Sequence, residues 1–206
     1  MKKNNLFFYL TAYSALLVPA PGRFVYGFTL MTELLLLSAV ASLSILFVQK
    51  IKLEQLKSTV FILTLIAFVI LFRQIMILIN AEVVLTLGFV LFLPPVSLFI
   101  LNILFLQTNT NFLEQFKYNI IKTLFFAFGG MIIFLIRDIL GYGTFTFFGK
   151  NHFIYEKILL NSEDIGIFSF LATIPGVIIL LVLIYFICIQ IYKKIDILKI
   201  KEDNKG

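Results

Sequence analysis

With 206 residues, of which 61% are hydrophobic and only 14% charged, and a mean hydropathy of +1.04, the chain is too apolar for a soluble domain, which is nearer half apolar and a quarter charged. Its net charge of +6 would suit a nucleic-acid partner, but the basic residues lie between apolar runs and no nucleic-acid module is present. A single cysteine, Cys188, excludes an intrachain disulfide, and neither a cysteine-held iron–sulfur cluster nor a Cys-rich zinc site can come from this chain alone.

Six apolar runs follow one another: Leu6–Ala20, Phe28–Val48, Ser58–Ile79, Leu85–Leu106, Tyr118–Leu140 and Phe168–Tyr192. They predict one all-α integral membrane domain over residues 1–206. The first run follows Lys2-Lys3 and resembles a secretory signal. Pro21 directly after Ala20 argues against cleavage, so the run is expected to be a retained short span ended by Pro19, Pro21 and Gly22.

Spans two and three each carry a charge. Glu33 lies five residues inside span two and Arg73 six residues inside the end of span three. At about 1.5 Å per residue both sit roughly 8–9 Å below the same membrane face. A charge at such depth is paired or faces a cavity, so the two are expected to pair; the alternative is a cation-handling carboxylate at Glu33.

Span four, LTLGFVLFLPPVSLFILNILFL, has no charge but holds Pro94-Pro95 near its middle. Proline removes a helical donor and pushes the preceding Leu93 away from the α region. A broken helix is expected, either packed against neighbours or forming a site at the membrane midplane. Span five ends at Arg137-Asp138, followed by Gly141 and Gly143, which suggests an interfacial helix end with a glycine cap. His152 falls in a polar loop and reads as a surface residue. Cys188, between Ile187 and Ile189, reads as a buried inert thiol.

Twelve Lys residues fall on one side of the six spans, and only Arg23, Lys150 and Lys157 on the other. Both termini are therefore expected in the cytoplasm, and the basic side could also contact anionic lipid. The opening span of each three-span half carries a proline pair, Pro19/Pro21 and Pro94/Pro95. Three spans per half make the second half run opposite to the first. Interrupted segments in corresponding positions point to two inverted three-helix repeats with broken or half helices one and four.

The stretch IRDILGYGTF, Ile136–Phe145, resembles the I-R-E-[IL]-L-G-x-G signature of the Rnf-Nqr family. It resembles the D subunit of the sodium-pumping NADH:quinone reductase and the E subunit of Rnf more than their paralogous partners. VFILTLIAFVILFRQ, Val60–Gln74, is similar to that family's third helix. Asn102 matches the Asn of its fourth-helix Asn-Cys pair, and LATIPGVIILL, Leu171–Leu181, is similar to the opening of its last helix. The resemblance implies a six-helix subunit of an ion-translocating electron-transport complex, folded as an inverted repeat and paired with a paralogous six-helix subunit. The family's [2Fe–2S] cysteines are absent: Ile103 follows Asn102, and no cysteine precedes Cys188. Gln107-Thr108-Asn109-Thr110 replaces the family's Gly-Arg-Ala-Glu run, Arg73 stands at its helix-three Asp, and NIIKTLFFAF stands for its glycine-rich approach to helix five. The expected function is thus a non-catalytic membrane subunit without cofactor or metal ligands of its own, in the bacterial cytoplasmic membrane. The alternative is a six-helix transport protein, such as the substrate-capturing subunit of a vitamin importer.

Overall fold

The computed structural model describes residues 3–51, 57–105, 112–150, 152–160 and 166–203. Three helices come first: α1 (Lys3–Leu17), α2 (Phe24–Ile51) and α3 (Lys57–Ile79). A helix in two pieces follows, α4 (Ala81–Leu87) and α5 (Pro94–Phe105), joined by a 3-10 turn at Gly88–Phe92. α6 (Phe112–Ile136) widens into a π-helical turn at Arg137–Tyr142. The hairpin β1 (Thr144–Phe148) and β2 (Ile154–Ile158), a 3-10 helix Gly166–Ala172 and α7 (Ile174–Asp203) complete the order.

Phe24–Ser44, Thr59–Ile79, Phe116–Tyr142 and Ile174–Ile191 are long and apolar enough to cross a membrane. Ala81–Phe92 with Pro94–Leu101, bent by 40°, makes a fifth when the pair is one span. The chain is thus mostly helical, with four such helices, or five with the bent pair, among the described residues. The first of the six expected spans stops short of its apolar run: α1 ends at Leu17, before Ala20. Its 15 residues reach about 22 Å, less than a ~30 Å hydrocarbon layer. Pro19 and Pro21 are the cause, since neither has an N–H with which to continue the ladder.

Prolines also explain the second break, with one correction. Pro94 and Pro95 occupy the first turn of α5, where a missing N–H costs nothing. Leu93, expected outside the α region, keeps right-handed backbone at φ −87°, ψ −27°. Its N–H bonds Val90 O at 3.1 Å, so the 3-10 turn tolerates a proline neighbour that an α-turn disfavours. On the other side of the break, Asn80 starts α4 by accepting the Val83 N–H at 3.1 Å, the usual way of satisfying a helix N-terminus.

α2 is the central helix, packed on α6, α3 and α5. Lipid tails are as apolar as leucine, so helices associate in a membrane by close fit. The α2–α6 contact shows this reciprocally: Phe134 of α6 lies over Gly27 of α2, and Met31 of α2 lies over Gly130 of α6. α3 turns Leu65, Val69, Phe72 and Met76 inward, a stripe at helical spacing.

The loop expected between spans five and six is partly a hairpin. β1 and β2 are antiparallel, with Thr144 opposite Ile158 and Phe148 opposite Ile154. At the start of α2 the β1 rings Phe145 and Phe147 stack on Phe24, and Phe147 and Phe148 meet Phe28 edge to face. Asn80 Nδ2 donates to Phe153 O at 2.9 Å, and Glu82 Oε2 accepts from Ile154 N at 2.7 Å. The half-exposed pair Arg23–Glu156, 2.8 Å apart, adds little in water. His152 is exposed at the hairpin tip with φ 66°, its Nδ1 lying 3.2 Å from Ile79 O.

Candidate functional site

Arg137 and Asp138 end the fifth apolar helix as expected, but both are buried within the protein, at 1% and 0% exposed. The π-turn aims them in different directions, and each spends its bonds on another part of the chain. Arg137 Nη1 donates to Leu17 O at 3.0 Å and Ala20 O at 3.2 Å. Its Nε donates to Leu171 O and its Nη2 to Ala172 O, both at 3.3 Å. The guanidinium therefore caps two chain breaks at once: the end of α1, and the 3-10 helix that precedes α7. Helix ends leave carbonyls without partners, and in a membrane these must be satisfied within the protein. The planar fork of arginine spans two pairs of carbonyls where a single ammonium could not. The Phe134 ring closes over the cation, 5.7 Å from centroid to Cζ.

Asp138 does the converse. Its Oδ2 accepts from Phe24 N at 3.0 Å, Thr146 N at 2.8 Å and Thr146 Oγ1 at 2.7 Å, while Oδ1 accepts from Thr144 Oγ1 at 2.8 Å. One carboxylate thus caps the start of α2, where negative charge is favoured, and anchors β1. Every polar side-chain atom of the two residues has at least one partner in the protein, so the pair ties these segments together.

The two motif glycines are explained by space and backbone. Gly143 caps the π-turn at φ 67°, a left-handed conformation that suits glycine, and its N–H bonds Asp138 O and Ile139 O. At Gly141 an added Cβ would lie 2.8 Å from the Ala172 backbone nitrogen and 3.1 Å from its Cα. Gly141→Ala should therefore push the 3-10 helix off the junction. A lower melting temperature in detergent is expected, by an amount typical of overpacking, about 1–3 kcal/mol. A melt matching the wild type would show that the contact yields freely.

Glu33 and Arg73 do not pair. Glu33 is fully buried and neither carboxylate oxygen has a hydrogen-bond partner, whereas Arg73 is exposed. The matching depth inferred from the helical rise says nothing about azimuth. Arg73 follows Phe72 by one residue, about 100° around α3 from the inward stripe. From there its long side chain can reach toward the headgroups. Of the charged residues buried among the described residues, Arg137 and Asp138 have a partner on every polar atom and Glu33 on neither.

The remaining predicted residues do not gather at one place. Cys188 is half-buried and lines a groove of about 330 Å³ between α1, α6 and α7, with Tyr13, Lys122, Phe126 and Tyr185. Asn102 lies on α5, but its side chain and the run Gln107–Thr110 fall outside the described residues. Among the described residues no three His, Cys, Asp or Glu side chains come together as a metal site. No family model, curated protein or solved structure matches this chain.

Proposed function

We propose that this chain is an integral membrane subunit of an Rnf/Nqr-like ion-translocating electron-transport assembly, one of a pseudo-symmetric pair with a paralogous six-helix subunit. The supporting observation is the junction. Arg137, Asp138, Gly141 and Gly143, the residues that carry the family resemblance, are those that tie the end of α1, the start of α2, β1 and the approach to α7 together. An inverted repeat would pair span one with span four and span two with span five. The contacts of α1 with α5, and of α2 with α6, are consistent with that, as is the exchange of Phe134 and Met31 across Gly27 and Gly130. In this reading α1 counts as a half-helix, the hairpin faces outward and both termini are cytoplasmic.

The residues present do not fit the family's [2Fe–2S] centre. Such a cluster needs several thiolate or imidazole ligands, and this chain has one cysteine and one histidine, Cys188 in the α1–α6–α7 groove and His152 on the exposed hairpin tip. The subunit would therefore shape the assembly and leave redox chemistry to its partners. The vitamin-importer reading stays as the second, favoured by that same groove, whose size falls in the range of small-molecule sites.

Purifying the tagged chain from its own membranes in mild detergent separates the two. Flavin-bearing subunits and a second six-helix subunit should accompany it in near-equal amounts, and Cys188→Ser should change neither the assembly nor its iron. Co-purification with ATP-hydrolysing subunits instead would favour the importer. Reporter fusions after Lys50 and Lys193 should report inside and a fusion at Lys150 outside; an inside signal at Lys150 would end the six-span arrangement.

A further inference from the structure

We propose that Glu33 is the binding site of one monovalent cation, a proton or Na+, held inside the protein at membrane depth. The first observation is the bare carboxylate. Glu33 is 0% exposed and both of its oxygens lack partners, while the same chain supplies four donor contacts to Asp138 and four carbonyls to Arg137. An isolated ionised carboxylate in apolar surroundings is among the costliest groups a protein can bury. A cation that accompanies it removes that cost.

The second observation is the chemistry beside it. Thr29 precedes Glu33 by one helical turn, which makes the two side chains neighbours on one face of α2. Thr29 is also fully buried, and its hydroxyl proton is committed to Val25 O at 2.8 Å. Its oxygen is left as an acceptor. Two carboxylate oxygens and a hydroxyl oxygen offer lone pairs without a donor, a set that suits a small hard cation. This face lies about 200° from Met31, which points at α6. It is therefore turned away from α6, and α3 and α5 are the other long helices that pack on α2.

Among the described residues no protein charge fills that role. Arg73 of α3 is exposed, and Glu82 of α4 is bonded to the hairpin through Ile154 N. α5 carries no titratable side chain. On α6, Glu114 is exposed, and Lys117, Tyr118 and Lys122 belong to its first turns, far from the Phe134 end that meets the start of α2. Arg137 and Asp138 spend their bonds at the junction, and β1 bears no charge. None of these groups bonds either oxygen of Glu33. The inference does not rest on the electron-transport reading, since a cation-loaded carboxylate would serve either kind of membrane protein.

The test uses the full chain in lipid nanodiscs and N,N′-dicyclohexylcarbodiimide. A protonated carboxyl gives its proton to a carbodiimide nitrogen, its oxygen adds to the central carbon, and an acyl shift leaves a stable N-acylurea that mass spectrometry locates. Wild-type protein should carry the adduct on Glu33, and Glu33→Gln should not. If a proton occupies the site, labelling should fall several-fold as the medium is made alkaline, with no effect of Na+. If Na+ occupies it, replacing choline by Na+ at constant pH should protect several-fold. Both arms use the wild type, so they stand even where Glu33→Gln fails to fold. Absence of any adduct on Glu33, or an adduct insensitive to both pH and Na+, would overturn the proposal. The partner purification above has a separate outcome, so the two ideas fail independently.

Discussion

Arg137→Met should leave little folded protein in the membrane. The side chain is 1% exposed and donates to Leu17 O, Ala20 O, Leu171 O and Ala172 O. Methionine fills much of the volume but donates nothing. A buried polar group left without its partner costs about 1–3 kcal/mol, and four together approach the ~5–15 kcal/mol that holds a typical domain. Two separate chain breaks would lose their cap in one change. Arg137→Lys should be intermediate: it keeps the charge, but one ammonium cannot reach all the carbonyls that the Nε, Nη1 and Nη2 edges of the guanidinium serve. Fluorescence-detected size exclusion after membrane extraction measures the folded fraction, and thermal melts rank the variants. A Met variant that melts like the wild type would show that water or local shifts satisfy those carbonyls, and the capping account would fall.

How much of this junction could be foreseen depends on the length of chain between partners. The prolines were legible because their effect is local: Pro19 and Pro21 end α1, and Pro94 opens α5. Gly143 was legible for the same reason, since a cap depends on its own turn. The burial of Arg137 was not, because its acceptors lie 120, 117, 34 and 35 residues away and are backbone carbonyls, which every residue has. Glu33 and Arg73 mark a different limit. Helical rise gives depth from sequence, but which way each helix turns depends on packing that a single span does not encode. The hairpin did leave a signal: Thr144–Phe148 is rich in β-branched and aromatic residues, with Gly149 following. Its apolar character hid it beside a membrane span. The expected first span was short, and it overran the helix end at Leu17 only as far as Ala20, because an apolar run records what lipid tolerates and the prolines record where the helix stops.

Asp138→Asn should separate the hairpin from the helices. The carboxylate accepts from Phe24 N, Thr144 Oγ1, Thr146 N and Thr146 Oγ1. An amide presents one acceptor and turns an NH₂ group toward donors on the other side. Hydrogen bonds to a charged acceptor contribute about 1.5–3 kcal/mol each, and loss of a helix N-cap alone costs about 1 kcal/mol. The loss is concentrated where β1 meets the start of α2, whereas Arg137 lies against α1 and the approach to α7. Asp138→Asn should therefore loosen the hairpin before the helix bundle comes apart. Lys150 and Lys157 place trypsin sites in and beside the strands. The variant should be cut there rapidly at temperatures where wild-type protein resists, while the bundle still elutes as one species. Asp138→Ala should be cut as fast and melt lower, because it loses every acceptor. Trypsin resistance equal to the wild type in both variants would mean that the aromatic contacts of Phe24 and Phe28 with Phe145, Phe147 and Phe148 hold the hairpin unaided.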